Sequence, residues 1–330
     1  MSRVRSKLGD SHYKTLTTMD NLAVAYKNQG KYSDAEVLFK QCLDKRKVVL
    51  GDNHPDTLIN MNNLAGTYDR QGKYREAEVL YKQCLDKIKD VYGENHPDTL
   101  AAMTGLANTY NNQGKYSDAE VLYKQCLDKR KVVLGESHPD TLNTMSNLAV
   151  AYDHQDKYRE AEVLFKQCLD KRKGVFGENH ANVLATMSGL ANTYNRQGKY
   201  IDAEVLYKQC LDKMKVVLGE SHPTTLVTMN NLAIAYNRQG KHRDAEVLYK
   251  QCLDKMKLIL GESHPDTLKT MSSLARAYAD QGKYRDAEVL YKQCLAKMKV
   301  VLGASHPSTL GTMSNLEIVI SLIHSANKGF

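Results

Sequence analysis

Cysteine occurs at a fixed interval along this chain. Its seven positions are 42, 84, 126, 168, 210, 252 and 294, which are all multiples of 42. Histidine recurs with the same period, from His12 to His306. A period of about 20 to 50 residues is typical of arrays in which each unit packs mainly on its neighbours. The chain is therefore predicted to form a single array over residues 1–330 rather than separate globular domains.

Each 42-residue unit carries two apolar stripes with helical spacing. In the first unit these stripes predict a helix A through Leu16, Met19 and Tyr26, and a helix B through Ala35, Phe39, Cys42 and Leu50. The run Ser137-His138-Pro139-Asp140 and its copies precede each helix A, and we expect the serine to be the N-cap residue. Gly30 and Gly51 are expected to end helix A and helix B. The unit is therefore predicted to be a helical hairpin.

The pattern Met19-x2-Leu22-Ala23-x2-Tyr26 followed by Ala35-x3-Phe39-x2-Cys42 resembles the tetratricopeptide repeat. With its 42-residue length and Leu-Gly-x-x-His-Pro-Asp junction, the unit is most similar to the repeats of kinesin light chains. The resemblance implies an all-α fold, an α-solenoid in which antiparallel hairpins stack into a right-handed superhelix. Seven full units are predicted, followed by a terminal capping helix and tail at 306–330. The units are 12–53, 54–95, 96–137, 138–179, 180–221, 222–263 and 264–305.

The copies differ mainly on helix A. Positions separated by multiples of 42 are called a column here, and a column is named by its first member. The most variable columns are those of Thr17, Asp20, Asn21, Val24, Lys27 and Asn28 on helix A, with Ser33, Arg46 and Val48 elsewhere. Columns that are free to differ are expected to face a ligand or solvent, and in tetratricopeptide proteins this surface of helix A lines a concave groove for an extended peptide.

The six variable columns of helix A hold 14 asparagines in the seven full units. Asparagine forms helices poorly, but its amide can donate to and accept from a peptide backbone. Drift toward small polar residues on a solvated face is the alternative explanation. The candidate peptide-binding residues are Asn63, Arg70, Asn108, Asn112, Asn147, Asn192, Arg196, Asn231, Arg238, Lys269 and Arg276.

The basic members of these columns concentrate in units five to seven, at Arg196, Arg238, Lys269 and Arg276. This pattern predicts a preference for an acidic segment there. Chaperone-binding relatives hold a terminal carboxylate in a clamp of basic and amide residues. Only part of that clamp is matched here, at Asn192, Asn231 and Lys269. Ser188 and Ser273 stand where its other two cations belong.

Other classes of function find little support in the residues. One histidine per unit does not assemble the roughly four ligands of a closed zinc site, so no metal is predicted. The chain has no phosphate-binding Gly-Lys-Ser/Thr loop and no Ser/Cys-His-Asp set, so we predict no cofactor and no enzyme activity. The seven cysteines are expected to be small buried side chains without disulfides. With no membrane span or apolar leader in the sequence, a cytoplasmic location is the expectation.

The favoured interpretation is a protein interaction scaffold that binds an extended peptide in the helix A groove. Two alternatives remain: an array that associates end to end, and the sensor fragment of a larger signalling ATPase. Nucleic acid is less favoured despite a net charge of +8, because four lysine columns headed by Lys31, Lys40, Lys45 and Lys47 supply 28 of the 46 basic residues. Most of these lysines are predicted to lie on the solvated outer face of helix B.

Overall fold

A computed structural model describes residues 9–328, with side chains through Ser325. Within that range the chain forms fifteen α-helices, α1 to α15, and no β-strand. The odd-numbered helices are the helices A: Tyr13–Asn28, Pro55–Arg70, Pro97–Asn112, Pro139–His154, Ala181–Arg196, Pro223–Arg238, Pro265–Asp280 and Pro307–Lys328. The even-numbered helices are the helices B: Tyr32–Leu50, Tyr74–Tyr92, Tyr116–Leu134, Tyr158–Phe176, Tyr200–Val217, His242–Ile259 and Tyr284–Val301.

The helices pack as consecutive hairpins in two compact bodies, one ending at Leu164 and the other beginning at Phe165. From here on these two bodies are called the first unit and the second unit, and each 42-residue segment is called a repeat. In each unit a helix A packs on its own helix B, which packs in turn on the next helix A. The predicted all-α solenoid of hairpins is confirmed. The cysteine column forms part of the core, and Cys84 Sγ donates to the carbonyl oxygen of Leu58 at 3.4 Å. All seven cysteines are buried and none forms a disulfide, which confirms their predicted packing role.

Helix A begins at a histidine cap, so the predicted serine cap is wrong. In the fourth repeat His138 has extended backbone angles, and its Nδ1 accepts a hydrogen bond from the backbone N–H of Asp140 at 3.2 Å. Pro139 occupies the first helical position, which places His138 rather than Ser137 at the cap. The same bond forms at His54, His96 and His264. The periodic histidine is therefore a structural cap.

The turn between helix A and helix B needs a left-handed residue. Gly30 has a φ of +75°, as predicted, and its copies are similar. In the fourth repeat this position is Asp156, whose φ of +60° is the only positive value outside glycine in the described residues. Its carboxylate accepts a short hydrogen bond from the Tyr158 hydroxyl. Aspartate tolerates this conformation better than most residues because its short side chain can bond locally.

A glutamate with two lysines links consecutive hairpins. Glu36 on α2 accepts hydrogen bonds from Lys40 at 2.5 Å and from Lys73, in the next repeat, at 2.7 Å. Both ammonium groups lie over the ring of Tyr68, at 5.4 and 5.6 Å from its centroid. We call this arrangement the glutamate staple. It recurs at Glu78, Glu120, Glu204 and Glu246.

The lysine columns of Lys31 and Lys40, expected on the solvated outer face of helix B, thus also take part in contacts between repeats. Much of the Lys45 column is paired as well, since Lys87 contacts Asp52 at 2.8 Å in the junction before α3. These ion pairs neutralise a large share of the positive charge. The net charge of the chain therefore says little about its ligand.

The last helix closes the second unit by packing on α14. Leu316 and Val319 are buried there. Leu310 is 46% exposed, although its counterparts in the other seven helices A, such as Leu58 and Leu100, are completely or almost completely buried. The difference arises because each of those leucines is covered by the helix B of its own repeat, and no helix B follows α15 in the described residues.

Candidate functional site

All eleven candidate residues lie on helices A, but they differ in exposure. The arginines, Lys269 and Asn112 are exposed, and the other five asparagines are half-buried. The exposed candidates are Arg70, Asn112, Arg196, Arg238, Lys269 and Arg276. The half-buried candidates are Asn63, Asn108, Asn147, Asn192 and Asn231.

Four of the half-buried asparagines form two equivalent networks with a buried tyrosine. The Tyr123 hydroxyl donates to Asn108 Oδ1 at 2.5 Å, and Asn147 Nδ2 donates to the same oxygen at 3.1 Å. In the second unit Tyr207 likewise donates to Asn192, whose Oδ1 also accepts from Asn231 Nδ2 at 3.0 Å. Each network joins two successive helices A through a core tyrosine. These amides therefore have a structural task that the sequence interpretation missed.

One variable column is buried rather than free to face solvent, so this part of the prediction is wrong. Arg46 is only 4% exposed, pairs with Asp20 at 2.6 Å and donates to the backbone oxygen of Asp56 at 2.5 Å. Arg130 makes the corresponding bond to Asp140, whereas Met214 is buried at the same place in a later repeat. This column holds arginine or isoleucine in the first four repeats and methionine in the last three, and the apolar part of each side chain fills the space between repeats.

The first unit has an accessible polar surface across α1, α3 and α5. A cavity of about 330 Å³ opens there, and Lys27, Arg70, Asp69 and Tyr81 are part of its wall. A second cavity of about 320 Å³ lies beside it and also includes Arg70 and Asp69 in its lining. Asn112 Nδ2 donates to both carboxylate oxygens of Asp69, at 3.1 and 3.2 Å. Asn63 accepts from Lys27 Nζ at 3.4 Å.

The basic candidates of the second unit fall into two groups. Arg276 lies 4.0 Å from Asp280, which also accepts a hydrogen bond from Asn237 at 2.6 Å. Burial raises the pKa of Tyr249, and Arg276, Asp280 and Arg238 all lie close enough to influence it. Lys269 instead borders a cavity of about 360 Å³ between α13 and α15.

The partial carboxylate clamp gains no support from this geometry. Asn192 and Asn231 are two of its three matched positions, and Asn192 Oδ1 accepts hydrogen bonds from both Asn231 and Tyr207. Ser273 borders the Lys269 cavity and supplies no charge. The described residues also contain no cluster of three or more potential metal ligands.

Several residues of this surface were not among the candidates. Lys27, Tyr81, Gly66 and Gly105 form much of the wall of the larger cavity in the first unit. The sequence signal for them lies in the columns of Asn21 and Val24. In the tyrosine networks both columns supply an asparagine, such as Asn108 and Asn147 beside Tyr123. Beside Tyr81 both columns supply a glycine, Gly66 and Gly105. Comparing the columns of Asn21, Val24 and Phe39 would have singled out Tyr81 and its two glycines.

Family models described as "Tetratricopeptide repeat" match residues 15–90, 70–131, 107–174, 164–215 and 182–258, with a further match at 267–308. The chain belongs to the tetratricopeptide repeat family. Its helical hairpins and periodic glycines agree with that assignment. Proteins of this family are typically interaction scaffolds, and they are generally non-catalytic.

Solved structures give the same fold. A putative kinesin light chain from Podosopora anserina, with nearly identical repeats, shares 26% identity and a TM-score of 0.54 over 62% of this chain and 97% of that chain. BtubC (BKLC) from P. vanneervenii shares 17% identity and a TM-score of 0.55 over 74% and 92%. The structural similarity to the kinesin light chain confirms the predicted repeat type. Comparison with curated proteins gave no significant match.

A third similar structure is a signal transduction ATPase with numerous domains that carries a tetratricopeptide repeat sensor, from Pyrococcus horikoshii. It shares 12% identity and a TM-score of 0.63 over 86% of this chain and 42% of that chain. At that identity the likeness concerns the fold alone. None of the described helices combines the length and apolar character required to cross a lipid bilayer.

Proposed function

We propose that this tetratricopeptide protein is a non-catalytic scaffold that binds an extended segment of another protein on the exposed surface of its helices A. The observation that carries the proposal is that constant columns fill the core, whereas variable columns of helix A supply exposed residues. Leucine, alanine and cysteine columns fill the core, and Arg70, Asn112 and Arg238 project from columns that change between repeats. A surface that varies on a constant frame suits recognition of a specific sequence.

The second unit is proposed to prefer acidic segments. Arg196, Arg238, Lys269 and Arg276 are exposed on its helices A, whereas Asp280 is the main carboxylate among them. Arginine binds carboxylates through paired donors, so an acidic peptide would gain charge-assisted hydrogen bonds. Nucleic acid would need a larger excess of unpaired basic groups, and many lysines of helix B already contact carboxylates.

The test is a selection from a displayed library of random peptides. We expect acidic peptides to be enriched on the wild type, and Arg238→Glu with Arg276→Glu to remove that enrichment. The matched control is Arg243→Glu with Arg285→Glu, which makes the same charge change in the same repeats on helix B. Selection without acidic enrichment, or equal loss in both double variants, would contradict the proposal.

End-to-end association is a second candidate because α15 exposes apolar surface. Leu310, Ile318 and Leu322 are all exposed on this helix. A second copy that covered them would make sedimentation depend on concentration, and Leu310→Gln with Ile318→Gln would abolish that dependence. A monomer at all concentrations would exclude this function. A sensor role within a longer signalling protein is a third candidate, supported by the similar repeat sensor of the Pyrococcus horikoshii ATPase.

A further inference from the structure

We propose that the cavity between α1, α3 and α5 binds one carboxylate side chain of a peptide ligand through Lys27, Arg70 and the hydroxyl of Tyr81. We call it the Tyr81 pocket. The inference rests on the proposed scaffold function and adds an anion site in the first unit, apart from the basic residues of the second. It also specifies the chemistry, a glutamate or aspartate side chain.

The hydroxyl of Tyr81 reaches this pocket because two glycines leave room for it. A Cβ on Gly66 would lie 3.1 Å from the hydroxyl oxygen, and one on Gly105 would lie 2.4 Å from Cζ of the ring. Gly66 occupies the same column as Asn108, which accepts the hydroxyl of Tyr123. With glycine in that place, the Tyr81 hydroxyl has no partner among residues 9–328.

A buried tyrosine hydroxyl normally finds a hydrogen-bond partner. Tyr81 is only 6% exposed, and it forms part of the wall of the 330 Å³ cavity. Its ring is held in the core, and its hydroxyl is a donor at the wall of this cavity. A ligand oxygen in the pocket would satisfy it.

Two cations complete the donor set. Lys27 is half-buried, and its ammonium contacts the amide oxygen of Asn63 at 3.4 Å. Burial lowers the pKa of Lys27, and the nearby charge of Arg70 lowers it further. Neither cation forms an ion pair with a carboxylate in the described part of the chain. A bound anion would offset their mutual repulsion.

The net charge of the pocket favours one negative charge. Asp69 also borders the cavity, but Asn112 holds both of its oxygens. Lys27, Arg70 and Asp69 together leave one net positive charge. A monoanionic carboxylate matches this charge, whereas a phosphoryl group carries nearly two negative charges and would face Asp69. Lysine, arginine and the phenol all supply donors, which a carboxylate accepts.

The experiment uses three end-blocked peptides of about ten residues that differ at one central position, which is glutamate, glutamine or phosphoserine. Binding to the full chain is followed by NMR of methyl-labelled methionines, because Met61 and Met103 report on the first unit and Met229 and Met271 on the second. We expect the glutamate peptide to bind about tenfold tighter than the glutamine peptide, as one charge-assisted hydrogen bond requires. Its shifts should centre on Met61 and Met103.

The variants separate the pocket from general charge. Arg70→Gln and Lys27→Gln should each remove most of the roughly tenfold preference for glutamate, whereas Arg75→Gln, an equal charge change on exposed helix B, should leave it intact. Tyr81→Phe should reduce it about threefold or more. Phenylalanine already occupies this column as the buried Phe39 and Phe165, so the variant should fold. Tyr249→Phe is its control.

Equal binding of glutamate and glutamine peptides, or equal effects of Arg70→Gln and Arg75→Gln, would overturn the inference. Tighter binding of the phosphoserine peptide would overturn the choice of a carboxylate. Glutamate-dependent shifts confined to Met229 and Met271 would refute the pocket but leave the scaffold proposal standing. Absence of binding by any peptide in either unit would count against both.

Discussion

Gly105 allows a sharp test of how tightly the first unit is packed. Replacing glycine by alanine inside a helix normally stabilises it by about 1 kcal/mol. At Gly105 on α5 the new Cβ would lie 2.4 to 2.6 Å from three atoms of Tyr81, whereas ordinary carbon contacts lie near about 3.5 to 4.0 Å. The ring must therefore move by about 1 Å or more. Overpacking of this kind costs about 1 to 3 kcal/mol, so Gly105→Ala should destabilise the chain by about 1 kcal/mol net.

Two other glycines provide the reference. Gly174 and Gly311 also lie within helices, and a Cβ at either position meets no atom within 4 Å. Gly174→Ala and Gly311→Ala should therefore stabilise by about 0.5 to 1 kcal/mol. Local stability is best measured by native-state hydrogen exchange, because repeat arrays need not unfold in a single step.

A double variant isolates the cause. Tyr81→Leu removes the ring atoms that overlap the new methyl group, so Gly105→Ala should cost less in its presence, with a coupling of about 1 kcal/mol or more. If Gly105→Ala is as stabilising as Gly311→Ala, the close approach of Tyr81 to this backbone is wrong. The donor position assigned to the Tyr81 pocket would then fail too.

Three further predictions concern the frame of the repeats. Hydrogen bonds from Lys115 and then from Lys82 lower the pKa of Glu78 to about 2. The stability that Glu78 contributes is therefore complete above its unfolded pKa of about 4.3 and is lost as the pH falls toward 2. Glu78→Gln should make stability depend less on pH in this acid range. Burial raises the pKa of Cys84 to about 12, so native cysteines should react with a thiol reagent at pH 8 at least about a hundredfold more slowly than after unfolding, and equal rates would exclude the buried thiol. His138→Ala should lower the local opening free energy at this junction, measured by native-state hydrogen exchange, by about 1 kcal/mol, and His138→Asn should leave it almost unchanged because asparagine can also cap; equal losses would refute the cap.

The fold could be predicted from the sequence because the pattern of the hairpin recurs in seven copies of 42 residues. A single apolar stripe such as Leu16, Met19 and Ala23 is ambiguous alone, but its recurrence after each His-Pro junction fixes the helix starts closely. The error at the cap was avoidable, because Pro139 at the first helical position makes His138 the cap residue.

The site was harder to predict because its contacts join positions far apart in sequence. Asn108 and Asn147 look like surface amides until Tyr123 is placed between their helices. The same separation hides the Tyr81 pocket, which depends on the absence of side chains at Gly66 and Gly105. Variation among the copies selects one surface of helix A as the candidate, but it cannot show which polar groups there already have hydrogen-bond partners.

The glutamate staple has a consequence for how such a chain can change in length. Glu78, Lys82 and Lys115 come from columns that are the same in neighbouring hairpins, so every internal repeat presents the acceptor for the next and the donor for the one before. An in-frame duplication or deletion of 42 residues would recreate the same junction. The number of hairpins can therefore change by whole repeats at little energetic cost, while each such event changes the number of repeats between Arg70 or Arg238 and the other residues proposed to bind a ligand. A change in the number of repeats should therefore affect ligand binding more than it affects stability.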